Sequence, residues 1–139
     1  MKRKHLILNY FPKIVAAYIL LQTLWFKFGI GGEIALQESQ MIFIQMAEMI
    51  FGNPNKEGLF RIGTGIMELI VAIGLFTKQS VYAATLGVML MIGALLSHVF
   101  ILGIVVNEDS GQLMIMAIIT LICCLKVVYD EKEKLTFNK

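Results

Sequence analysis

Charge is what this sequence lacks most. Only 16% of its 139 residues are Asp, Glu, Lys or Arg, where a soluble domain carries roughly 25%. With 58% hydrophobic residues and a mean hydropathy of +0.76, an ordinary soluble domain is excluded. The solvent to expect is a lipid bilayer. The net charge of +2 and the absence of a basic stripe argue against a nucleic-acid partner. Cysteine occurs twice, as adjacent Cys123 and Cys124. That spacing fits neither a zinc site nor a C-x-x-C redox pair, so packing is their expected role. The histidines are His5 and His98, a thin supply for haem ligation. No flavin or nicotinamide fingerprint and no iron–sulfur spacing occurs. The expectation is a chain with no intrinsic cofactor.

Apolar length is what the sequence has instead. Four runs, at about 10–30, 59–77, 81–106 and 112–129, are long enough to cross a bilayer as helices. The fold class this predicts is all-α: an integral membrane four-helix bundle, with residues 1–139 as a single membrane domain. The first run follows a basic start, Lys2, Arg3, Lys4 and Lys13. That resembles a signal peptide, but no Ala-x-Ala site closes it, so an uncleaved first span is expected. Gly31-Gly32 then breaks the helix. Over 34–51 the pattern becomes amphipathic. Ile42, Phe43, Met46, Met49 and Ile50 share one face, and Glu38, Gln45 and Glu48 share another. This helix is too polar to span and is expected in the interface or capping the bundle. Gly52-Asn53-Pro54-Asn55 predicts a turn. The third run exceeds the roughly 20 residues a span needs, so tilt or projection is expected. Ala83 with Gly87, and Gly93 with Ser97, are small residues four apart that suit close helix approach. A charged tail runs from Asp130 to Lys139.

Lys and Arg placement predicts orientation. Lys2, Arg3, Lys4, Lys13, Lys78, Lys126, Lys132, Lys134 and Lys139 share one side. The other holds Lys56, Arg61 at its border, and Glu33, Glu38, Glu48, Glu57, Glu108 and Asp109. Both termini are expected in the cytoplasm, and the chain in the inner (plasma) membrane.

The run from Leu59 to Thr77 carries Arg61 and Glu68. A carboxylate at such depth needs protein, water or a countercharge. At about 1.5 Å per residue, Glu68 lies about 13 Å below the outer boundary and Arg61 about 3 Å. Lys27, 14 residues above Lys13, falls roughly 9 Å below that boundary of a 30 Å core. Lys27 and Glu68 are therefore expected to pair. Arg61, Thr64 and Glu68 share a helix face, and Gly65 leaves room beside them. The prediction is an outward-facing polar pocket lined by Gln22, Lys27, Arg61, Thr64, Glu68 and His98. Plainer readings stand beside it. Arg61 and Lys27 can snorkel, His98 can pack, Gln22 can act as interhelical glue, and Lys27–Glu68 can be purely structural.

Three segments together resemble the DoxX-like family of small four-span membrane proteins. They are Leu24-Trp25-Phe26-Lys27-Phe28, Arg61-x-Gly63-x-Gly65-x-x-Glu68, and Leu96-Ser97-His98. The resemblance covers about Ile14 to Tyr129. It implies a four-helix bundle associated with membrane redox chemistry. Some relatives are described as subunits of thiosulfate:quinone oxidoreductase, others as membrane anchors of oxidoreductase complexes, and a eukaryotic branch as receptor-assembly chaperones. On that resemblance the first expectation is a quinone- or small-molecule-binding subunit, with a soluble or membrane oxidoreductase as partner. An assembly factor or anchor is the alternative. A small transporter is the third reading, and it requires a homo-oligomer, because one chain this short holds no inverted repeat.

Overall fold

The computed structural model describes the backbone of residues 2–132 and the side chains of Ile7 and of residues 9–132. The expected tail beyond Lys132, and the side chains of Lys2, Arg3, Lys4 and His5, lie outside the described residues. The chain is all-helical, with no strand among the described residues. The described residues form five helices, α1 (Lys2–Lys27), α2 (Glu33–Phe51), α3 (Glu57–Gly74), α4 (Ser80–Ser97) and α5 (Gln112–Glu131). A 3-10 turn, Pro54–Lys56, leads into α3, and a π-turn, His98–Leu102, follows α4.

Several boundaries differ from the hydropathy pattern. Helix α1 begins at Lys2, not near residue 10. Its basic start is poor in lipid but good at forming helix, and hydropathy reads only the first property. It stops at Lys27, short of residue 30, where Gly29 takes φ 72°. Helix α4 and its π-turn end at Gly103, φ 84°, before the expected Val106. The surplus length of the third run is thus folded into a loop and does not lengthen a helix.

Helices α1, α3, α4 and α5 pack as a closed ring, each touching the next. The short link Leu75–Gln79 makes α3 and α4 antiparallel neighbours. The core is built of small and medium side chains, Ala16, Ala17, Leu20, Val71, Ala72, Leu75, Ala84, Ala117, Cys124 and Val127 among them. Such residues let helix axes approach closely. At Gly74 an added Cβ would sit 2.7 Å from Ala83 Cβ. At Gly87 it would sit 2.8 Å from Cys124 Sγ. Ala83 and Gly87 therefore lie on helix seams as expected. Gly93 does not: nothing stands within 4 Å of its Cβ position. Its backbone oxygen instead accepts from Ser97 Oγ at 2.9 Å.

Helix α2 lies against α1, α3 and the π-turn. Its buried stripe is Ser39, Phe43, Met46 and Ala47. This corrects the expected apolar face, since Met49 and Ile50 are exposed.

The exterior is strongly apolar. Ser80–Leu102 and Gln112–Glu131 are long and apolar enough to cross a membrane, and only 22% of each spanning window is buried inside the protein. A soluble core helix of that composition would be mostly buried. Helices α1 and α3 do not meet the same standard of length and hydropathy.

Candidate functional site

The charged side chains of α1 and α3 meet at the end of the bundle that α2 covers. A helical side chain leans toward its own N-terminus. Lys27, the last residue of α1, therefore reaches back down its helix, and its Nζ donates to Glu68 Oε1 at 2.6 Å. Thr23 stands one turn below Lys27 on the same face. Its hydroxyl is 3.0 Å from Glu68 Oε2 and 2.7 Å from the Leu20 carbonyl oxygen; its one proton serves either.

Arg61 occupies the other half of the cluster. Its Nε donates to Glu57 Oε1 at 3.0 Å, across one turn of α3. Its Nη1 donates to the backbone carbonyl of Lys27. Helix ends leave such carbonyls without an intrahelical partner, so the guanidinium caps α1 from outside. Gly65 makes the approach possible, because a Cβ there would meet Phe28 at 3.0 Å. Phe43 of α2 closes the cluster, with Lys27 Nζ 5.4 Å from its ring centroid. Phe60 stacks edge-on against both Phe43 and Phe51. Two cations thus face two carboxylates, and the Lys27 and Glu68 side chains keep only 14% and 9% of their surface exposed.

Of the six expected pocket residues, the structure brings together Lys27, Arg61 and Glu68. Thr64 turns its hydroxyl to the Phe60 and Arg61 carbonyls of its own helix. His98 is buried in the π-turn, where Nδ1 lies 2.9 Å from the Gly103 oxygen. Gln22 is half-buried and makes no hydrogen bond among the described residues. Lys27, Arg61 and Glu68 thus share one cluster, while the polar groups of Thr64 and His98 are held by their own segments. Thr23 and Glu57 complete the cluster in their place. Both carry a spacing signal, each lying four residues before the cation it shares a face with, Lys27 and Arg61 respectively.

A separate apolar cleft of about 220 Å³ runs along α3, lined by Phe51, Lys56, Leu59, Phe60, Gly63, Thr64 and Met67. At the opposite end of the bundle stands a second buried ion pair. Lys13 Nζ meets Glu131 Oε1 at 2.5 Å, and Ser80 Oγ donates to the other carboxylate oxygen. Hydropathy gave no hint of it, because Lys13 reads as part of a basic flank and Glu131 as part of a charged tail.

The α4–α5 loop is organised by Asp109. Its Oδ1 accepts from the Val106 and Gly111 amides and its Oδ2 from the Leu113 amide. Partial burial pushes this carboxyl up. The three backbone amides, aided by the nearby His98, outweigh that and hold it below the usual aspartate value.

Among the described residues no group of three His, Cys, Asp or Glu side chains is placed to hold a metal ion. No family model, no curated protein and no solved structure matches the chain.

Proposed function

We propose that the chain is a four-span membrane protein of DoxX-like type that serves as a membrane-embedded scaffold, an anchor or assembly partner for another protein. Three buried pairings support the span count. Three cations that lower the hydropathy of α1 and α3 are matched inside the protein: Lys13 by Glu131, Lys27 by Glu68 and Arg61 by Glu57. Paired and turned inward, they do not burden a span as lone charges in lipid do. Exposed aromatics add support. Apart from Tyr18, exposed midway along α1, the exposed aromatics lie toward the two ends of the ring: Tyr10, Phe11, Phe76, Tyr82 and Tyr129 at one, Trp25, Phe26, Phe28, Phe51 and Phe100 at the other. That is the arrangement of two interfacial belts. The basic flank then lies in the cytoplasm of the inner membrane, and α2 on the outer surface.

One observation carries the scaffold reading. The Lys27–Glu68 cluster is closed on itself, with its charges matched and Phe43 laid over it. A quinone carbonyl would have to displace Glu68 from Lys27. The outer face of α2, with exposed Glu33, Glu38 and Glu48 beside Ile34, Met41 and Ile44, is the surface left for a partner. The test replaces the ion pair by packing. In Lys27→Met/Glu68→Met the scaffold reading expects folded protein that still cross-links to the same membrane partner as wild type. A quinone extracted with the wild-type protein, and missing from this folded variant, would overturn it in favour of the quinone-binding subunit.

A further inference from the structure

Lys56 is the cation at the α2 end that no carboxylate answers. Lys27 and Arg61 there are matched to Glu68 and Glu57. Lys56 makes no ion pair among the described residues, and its Nζ sits 5.2 Å from the ring centroid of Phe51. It closes the 3-10 turn that opens α3, directly above the apolar cleft. From Lys56 to Met67 the helix descends about 16 Å, so the cleft runs lengthwise along α3. Phe51 and Phe60, edge to face at 5.7 Å, form its upper wall. Gly63 forms its floor, where an added Cβ would meet nothing within 4 Å. The Thr64 hydroxyl is occupied by carbonyls of its own helix, which leaves the floor apolar. Leu59 and Met67 form exposed lips, Leu59 with 77% of its surface free. Gly63 points about 200° round the helix from Gly65, which faces α1, so the cleft opens away from the charged cluster.

We infer that this cleft is a binding site for an anionic glycerophospholipid. Its acyl chain lies along Gly63 between Phe60 and Met67, and its phosphate sits on the Lys56 ammonium. Charge complementarity selects the occupant. A lone cation at the headgroup end of a greasy furrow suits a headgroup with net negative charge, and one Lys near a membrane surface contributes about five-fold in affinity for such a lipid. The inference rests on the four-span reading, which puts Lys56 at headgroup level.

The test is native mass spectrometry of the full chain released from nanodiscs containing phosphatidylglycerol and phosphatidylcholine in equal amounts. Wild type should retain phosphatidylglycerol about five-fold over phosphatidylcholine. Lys56→Gln should erase that preference. Gly63→Phe, whose Cβ enters open space and whose ring fills the cleft, should lower retention of both lipids. Equal retention of the two lipids by wild type, or an unchanged preference in Lys56→Gln, would overturn the site. Failure of the four-span reading looks different: the protein would not enter the nanodisc, or a cysteine at Asn55 would label as deep hydrocarbon.

Discussion

At the scale of single residues, the ion pair of Lys27 and Glu68 makes a sharp demand. Removing one partner strands the other in a site nearly closed to solvent, at a cost of about 3 kcal/mol. Lys27→Met and Glu68→Gln should each lower the thermal midpoint in detergent. The double replacement by Met should regain most of the loss, because no charge is then left buried. A double variant that melts as low as the sum of the singles would show that the pair does more than cancel itself. Gly87 offers a second residue-level test. A methyl group there collides with Cys124 Sγ and lies 3.1 Å from Val71. Gly87→Ala should destabilise by about 1–3 kcal/mol, and Cys124→Ala in the same chain should relieve part of that. Gly93→Ala, facing open space, should cost nothing; a loss equal to that of Gly87→Ala would mean that the seam is misplaced.

At the scale of elements, the start of α5 depends on a side chain two residues outside it. Gly111 precedes the helix and has no side chain to cap it. Asp109 does this instead, accepting from the Leu113 amide at 2.9 Å. Because its folded pKa is held below the ordinary 3.8, its contribution is complete above that value. It fades as pH falls through the lower, folded pKa. Hydrogen exchange of the Leu113 amide should therefore quicken below about pH 4 in wild type. Asp109→Ala should show the faster exchange at every pH and lose about 1 kcal/mol, as a lost cap does. Exchange that is equally slow in Asp109→Ala would refute the cap. This device was not legible in the sequence, where Asn107 to Gly111 reads only as a polar loop. The elements themselves were legible, because four apolar runs and one amphipathic stretch map onto five helices. Their ends were not, since hydropathy reports solvent and helix ends are decided by Gly29 and Gly103. The Lys27–Glu68 meeting was legible from depth alone. Depth carries no azimuth, however, so it could not foresee that the Thr64 hydroxyl turns to its own helix and the His98 ring to the Gly103 oxygen.

At the scale of the whole molecule, two ion clusters about 21 Å apart along α1 brace the ring near its two ends. Lys13, Glu131 and Ser80 tie α1, α5 and α4 at one end. Lys27, Glu68, Arg61 and Glu57 tie α1 to α3 at the other. Between them lies a collar of Ile, Leu, Val and Met exposed on the outside. A ring with apolar flanks and charge folded inward near both rims is stable in lipid and costly in water. The proposed four-span reading predicts a topology that labelling can check. In a chain with Cys123 and Cys124 replaced by Ala, single cysteines at Glu38, Asn55 and Glu108 should react with an impermeant maleimide on intact cells. One at Gln79 should react only after the membrane is opened. Labelling of Gln79 from outside would invert the orientation. Equal access to Gln79 and Glu108 from the same side would leave α4 lying along the membrane and reduce the bundle to fewer spans.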